Sequence, residues 1–158
     1  MDSNELGQKV KSLIREGTVC AVFPERMTAR VTFDDKDDAV SPELPILTKG
    51  SAKNKDFWLP DINDVVVCLF APNDEESGTG WILGTRFNDV DKTPEGMDAD
   101  TTKRTYSDGT YISYNRESHE MEINCKGNLK IVCEGNIFIK GVRIDLNEEL
   151  LTCRQRQE

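Results

Sequence analysis

Residues 125–140 read CKGNLKIV followed directly by CEGNIFIK, a tandem repeat with a period of eight residues. Cys, Gly and Asn recur at identical steps, and the apolar positions 129 and 131 recur as 137 and 139. Glycine and asparagine both tolerate a positive φ angle, so the two Gly-Asn pairs predict turns between short strands. The predicted repeat turns are Gly127, Asn128, Gly135 and Asn136.

The region around this repeat, residues 109–147, alternates apolar and polar residues almost to its end, which predicts short β-strands. Repeat units that cannot bury their own apolar faces must stack or be completed by further copies of the chain. We therefore predict that three copies wind residues 109–147 into a closed β-prism, a needle-shaped homotrimer. A β-meander packed on the rest of the same chain is the alternative. The predicted needle interior consists of Ile112, Met121, Ile123, Leu129, Ile131, Ile137, Ile139, Ile144 and Leu146.

Upstream of the needle, residues 18–88 carry the signals of a second β domain. Short alternating segments are separated by turns rich in Pro, Gly, Asp and Ser, and the apolar run over residues 64–72 is typical of a strand buried on both faces. About five short strands in this length predict a small antiparallel barrel of the OB type. Its predicted core consists of Val19, Val31, Phe33, Trp58, Val66, Leu69, Trp81 and Leu83.

Three further segments complete the predicted organisation. Residues 1–17 have apolar positions at helical spacing and predict a short helix, which either packs on its own domain or docks on a partner. Residues 89–108 have the composition of a linker, and residues 148–158 form a polar tail. The predicted fold is all-β, with a small OB-type barrel, a C-terminal intertwined trimeric β-helix (β-prism) and a short N-terminal helix.

Composition argues against several classes of function. A net charge of −9 is unfavourable for binding a nucleic-acid backbone, so no nucleic-acid partner is expected. No apolar run is long enough to span a bilayer, and the N-terminus lacks the apolar core of a secretory signal. The five cysteines are far apart and the single histidine is His119, so neither a metal site nor a cofactor is predicted. Cys125 and Cys133 are expected to act as small buried apolar residues; the alternative is that their thiols, stacked at one level from three chains, bind a soft metal.

Several motifs occur in an order that resembles baseplate assembly protein V, a family of contractile-tailed phages. The residues that carry the resemblance are Gly17-Thr18-Val19, Phe57-Trp58-Leu59-Pro60, DVVVCLF at 64–70, GWILG at 80–84 and DGTYISYNR at 108–116. The resemblance extends from about Gly17 to Asn147.

The resemblance implies a structural role without catalysis. Such a chain forms the trimeric central spike of a contractile tail in a phage, a phage-tail-like bacteriocin or a related injection system. It is made in the bacterial cytoplasm, attaches through its OB region to the baseplate hub protein of the tail tube, and pierces the target cell envelope when the sheath contracts. The particle type stays open.

One feature departs from this family. Relatives with their own sharp apex end the needle in an H-x-H motif that holds iron, whereas His119 stands alone near the start of the needle. The resemblance therefore implies either a separate conical tip protein or a blunt end.

Other chemistry finds little support in the sequence. The stretch Ser118-His119-Glu120 lies in a predicted turn, and the paired carboxylates occur in loop-like stretches, so an enzyme is not expected. The alternative function is an OB-fold module that binds an oligonucleotide or another ligand and carries an oligomerising β tail, because Phe57 and Trp58 follow Lys49, Lys53 and Lys55.

Overall fold

The computed structural model describes residue 7 and residues 13–34, 38–71 and 79–145. Every named element in this part of the chain is a β-strand, and all strand pairs within the sheets are antiparallel. The fold class is therefore all-β. The chain divides into two compact units, one ending at Met97 and one beginning at Asp98.

The first unit contains a six-stranded sheet. Its strands pair in the order β3-β2-β1-β5-β6, and β4 also pairs with β2. The strands are β1 (Ile14–Phe23), β2 (Thr28–Phe33), β3 (Ala39–Val40), β4 (Leu44–Pro45), β5 (Val65–Phe70) and β6 (Gly80–Thr85). Beyond β4, Ile46 forms a parallel bridge to Ile82, and the Leu47 amide donates to the Ile82 carbonyl at 2.9 Å.

A single apolar cluster lies on one side of this sheet. Four predicted core residues, Val19, Val31, Phe33 and Val66, are buried in it, and Trp58 packs against it while partly buried. The Trp58 indole Nε1 donates to the Leu47 carbonyl at 3.0 Å, which satisfies its polar atom. The buried residues that the sequence did not single out are Ala29, Leu44, Ile46, Cys68 and Ile82.

The predicted core positions in β5 and β6 were partly wrong. Leu83 is 41% exposed, and Leu69 and Trp81 are only partly buried, because β5 buries Val66 and Cys68 while β6 buries Ile82. Successive side chains of a strand point to opposite faces. The apolar run in β5 is therefore not buried on both faces, as its composition had suggested.

Two predicted boundaries also need correction. Strand β1 begins at Ile14, so residues 14–17 of the predicted helix 1–17 are extended; they pair with β5 between Ile14↔Leu69 and Gly17↔Val66. This long-range pairing overrides the local helical spacing. Residues 7 and 13 are helical, and the rest of that predicted helix lies outside the described residues. The predicted linker 89–108 contains strand β7 (Thr101–Thr105), and the predicted polar tail 148–158 also lies outside the described residues.

Gly17 lies where β1 and β2 approach each other closely. A Cβ atom there would lie 2.5 Å from Val31 Cγ1 and 2.6 Å from the Thr32 carbonyl oxygen, whereas a Cβ atom at Gly84 would meet nothing within 4 Å. We expect Gly17→Ala to lower the free energy of unfolding by about 1–3 kcal/mol, because the neighbouring backbone cannot yield without disturbing the sheet.

Urea denaturation followed by tryptophan fluorescence measures this loss, since both tryptophans lie in the first unit. Gly84→Ala is the matched control and keeps the wild-type midpoint. Equal midpoints for the two variants would contradict the close approach of β1 and β2.

The second unit contains a three-stranded meander in the order β7-β8-β9. Strand β8 spans Tyr111–Asn115 and β9 spans Glu120–Asn124. Residues 125–145 form no named strand within the described chain, but the backbone bends at 126–127, 134–135 and 142, which keeps the period of the sequence repeat. Gly127 and Gly135 lie at these bends, although neither they nor the following asparagines take the positive φ angle that Gly109 has.

Candidate functional site

The sheet of the second unit has two chemically different faces. Residues that pair directly across neighbouring strands share a face. The register therefore places the row Lys103–Ser113–Glu122 on one face and the row Arg104–Ile112–Ile123 on the other.

The first face, which we call the polar face, has its side chains bonded to one another. The Lys103 ammonium lies 4.1 Å from the centroid of the Tyr111 ring, and the Tyr111 hydroxyl donates to Glu122 Oε1 at 2.7 Å. This hydrogen bond to a carboxylate raises the pKa of Tyr111. Asn115 Nδ2 donates to Thr101 Oγ1 at 3.0 Å. Such a face is well suited to contact with water.

The opposite face, the apolar face, is uncovered in the single chain. Ile112 pairs with Ile123 and Tyr114 pairs with Met121, and all four side chains are exposed. Three of them, Ile112, Met121 and Ile123, are predicted needle-interior residues, so the structure brings these three together on one face. A contiguous exposed apolar patch on a soluble domain marks an interaction surface.

The exposure of apolar residues continues through the repeat. Ile131 and Ile139 are 69% and 72% exposed in the single chain. Fully burying one such side chain is worth about 1.5–3 kcal/mol. Covering these residues in an assembly would therefore contribute a large favourable free energy. Leu146 lies outside the described residues. The remaining predicted interior residues are also exposed, namely Leu129, Ile137 and Ile144.

The other alternation phase of the repeat carries apolar residues that the sequence analysis did not assign. Val132, Phe138 and Val142 are all exposed, with Phe138 at 89%. The signal was visible in the sequence, since Phe138 stands between Ile137 and Ile139, but the alternation pattern was used to place only Ile137 and Ile139.

A carboxylate fixes the turn that leads into β8. Asp108 accepts hydrogen bonds from the Thr110 amide at 2.8 Å and the Thr110 hydroxyl at 2.9 Å, and Gly109 takes a φ of 84° between them. These bonds lower the pKa of Asp108, first through the Thr110 amide and then through the Thr110 hydroxyl.

Because its folded-state pKa is lowered, Asp108 stabilises the second unit above the pKa of the unfolded chain, and this contribution disappears as the pH falls through the lowered value. We expect Asp108→Asn to melt at a lower temperature than wild type at pH 7 and at the same temperature in strong acid. Melting followed by far-UV circular dichroism measures both, with Glu117→Gln as the control. A difference in melting temperature between Asp108→Asn and wild type that stays the same in strong acid would contradict a stabilising role for the ionised Asp108 carboxylate.

The four cysteines that the structure describes are all free thiols. Burial raises the pKa of the Cys68 thiol to about 11, despite the nearby Arg15 guanidinium, which acts in the opposite direction. Cys133 is exposed, and its thiol lies 3.0 Å from the Gly135 carbonyl oxygen. His119 has a φ of 58° in the turn between β8 and β9, where the Ser118 hydroxyl donates to Asn115. Within the described ranges, no three His, Cys, Asp or Glu residues group in a way that could hold a metal ion.

Comparisons with known proteins give no assignment. No protein-family model matches this chain, and a search of curated proteins finds no relative. Among the residues that the structure describes, no helix has the length and apolar character needed to cross a bilayer. The most prominent features of the second unit are its apolar face and the exposed apolar residues of the repeat.

Proposed function

We propose that this chain is the central spike of a contractile tail or related injection system and acts as a homotrimer. The observation that carries the proposal is the series of apolar residues between Ile112 and Ile144 that are exposed in the single chain. Three copies that surround a common axis would bury these residues against one another. The resemblance in motif order between residues 17 and 147 supplies the biological setting.

The first unit fits the part of an OB-type barrel that sits against a hub. Strand β4 pairs with β2, the second strand of the order, and the following Ile46 bridges Ile82 in the terminal strand β6. A segment that links β2 to the far end of the sheet in this way supports closure into a small barrel, the arrangement expected of an OB fold. A closed barrel leaves its outer surface and its loops free for the baseplate hub.

The second unit fits a needle that must bear an axial load. Strands hydrogen-bonded between three chains leave no open edge from which the structure can be peeled. Its stability would belong to the trimer, so the isolated chain would have little folded second unit. Because His119 is exposed in a turn near the start of this unit, an apex iron site of the H-x-H kind is not part of the proposal. Either a separate tip protein or a blunt end completes the spike.

A deletion in the bacterial strain that encodes the chain tests this function. We expect loss of assembled contractile particles, or of their killing activity, and recovery when the wild-type gene is supplied from a plasmid. Supplying Lys130→Glu should restore particles, whereas Ile139→Asp should not. Normal particles in the deletion strain would overturn the proposal.

One observation favours a second candidate, the binding of a single-stranded oligonucleotide. Phe57 is exposed and follows three lysines in the sequence, whereas Trp58 packs against the core. Exposed aromatics beside basic residues can stack bases. A fluorescent oligonucleotide bound at low salt and released at high salt, with binding lost in Phe57→Ala, would support this candidate over the spike. Absence of binding at low salt would remove it.

A further inference from the structure

The meander of the second unit has two open strand edges. In the described chain β7 and β9 each pair only with β8, so the outer edge of each carries unpaired backbone groups. We infer that the β9 edge of one copy pairs with the β7 edge of a second copy, which extends the proposed trimer into a ring of strands closed head to tail. This inference rests on the proposed function for the number of copies and adds which surfaces meet.

The charges on the two edges are complementary. On the polar face, β9 presents Glu120 and Glu122, while β7 presents Lys103. Pairing β9 with β7 of another copy places the carboxylates of one chain beside the ammonium group of the next. Opposite charges on adjacent strands stabilise pairing, and like charges directly opposite each other destabilise it.

The same charges disfavour the simpler two-fold arrangement. A dimer built from β9 against β9 would bring Glu120 and Glu122 of both chains together, and one built from β7 against β7 would bring Lys103 and Arg104 together. A two-fold contact uses the same patch on both partners, whereas a head-to-tail contact uses two different patches and closes into a ring. The edge charges therefore select a ring.

The strand directions and the two faces are consistent with such a ring. Both β7 and β9 run antiparallel to β8, so the contact between β9 and the next β7 is parallel around an axis along the strands. One curvature places the row Arg104–Ile112–Ile123 and its neighbours inside and leaves the polar face in water. The Arg104 guanidinium on the apolar face lies 5.3 Å from the ring centroid of Tyr106, just beyond the end of β7.

Charge reversal tests the inference in the full chain. The variants are Lys103→Glu, the pair Glu120→Lys and Glu122→Lys, and a chain that combines all three changes. Light scattering over a dilution series gives the concentration at which half of the trimer dissociates. We expect each reversal to raise that concentration about tenfold or more, because every contact in the ring is affected. The combined chain, whose edges are again complementary, returns close to wild type and so shows that the changed residues still fold.

The control for the Glu120→Lys and Glu122→Lys pair is the pair Glu95→Lys and Glu117→Lys, which changes the net charge by the same amount at exposed positions outside both edge strands. We expect it to dissociate like wild type. A wild-type chain that is monomeric throughout the series would overturn the proposed function and this inference together. A trimeric wild type whose reversals have no effect, or whose combined chain stays weak, would overturn the edge pairing alone.

Discussion

Ile139→Asp and Ile131→Asp are each expected to abolish trimer formation. Both side chains are largely exposed in the single chain and occupy the same alternation phase of the repeat. In a three-fold needle each substitution places three carboxylates at one level of the interior. Burying an unpaired carboxylate costs several kcal/mol, and three carboxylates together repel one another. The protein concentration needed to form the trimer should therefore rise by orders of magnitude.

The matched control for these variants is Lys130→Glu. It also introduces a carboxylate, but at the neighbouring position, whose alternation phase faces water in the proposed needle. We expect its solution mass to equal that of wild type. Normal trimers from either isoleucine variant, measured by light scattering on a sizing column, would count against the interior assignment. Loss of trimers in Lys130→Glu would indicate that position 130, rather than positions 131 and 139, faces the needle interior.

Protection of the Cys133 thiol is the second large effect we expect. Cys133 is exposed in the single chain and shares the phase of Ile131 and Ile139, so the proposed needle buries it. Cys20 is also exposed, but it lies in the first unit and stays accessible. Alkylation at pH 8 should therefore be about 100-fold slower at Cys133 than at Cys20, because a buried thiol reacts only when the structure opens.

Mass spectrometry of alkylated peptides gives both rates in one experiment. Ile139→Asp serves as the matched control, since a chain that cannot assemble should alkylate Cys133 as fast as Cys20. Cys68 should react slowly in both chains, because it is buried in the first unit and its pKa is raised to about 11. Rapid alkylation of Cys133 in a wild-type trimer would contradict its place in the needle interior.

The sequence predicted the β character of the chain because short-range alternation and turn residues carry that information. It also identified Ile112, Met121 and Ile123, which the pairing of β8 with β9 places on one face. In these strands polar residues separate the apolar ones, so the phase can be read directly.

Elsewhere the local pattern was insufficient. Cys68 in β5 and Ile82 in β6 both have apolar residues on either side, and only their pairing with each other reveals which side chains point inward. Strand β7 reads TTKRT and has the composition of a linker; its pairing with β8 makes it a strand. The start of β1 at Ile14 likewise depends on a partner more than fifty residues away. Pairing with a strand distant in sequence does not produce a hydrophobic periodicity, so neither β7 nor the start of β1 could be recognised as a strand from its own residues.

The solution mass of the purified wild-type chain tests the central claim most directly. Light scattering on a sizing column should give a single species near three times the chain mass of 17.8 kDa, about 53 kDa, eluting earlier than a sphere of that mass. That result would support an elongated trimer that covers the predicted interior residues between Ile112 and Ile144. A compact monomer of 17.8 kDa at all concentrations would contradict it.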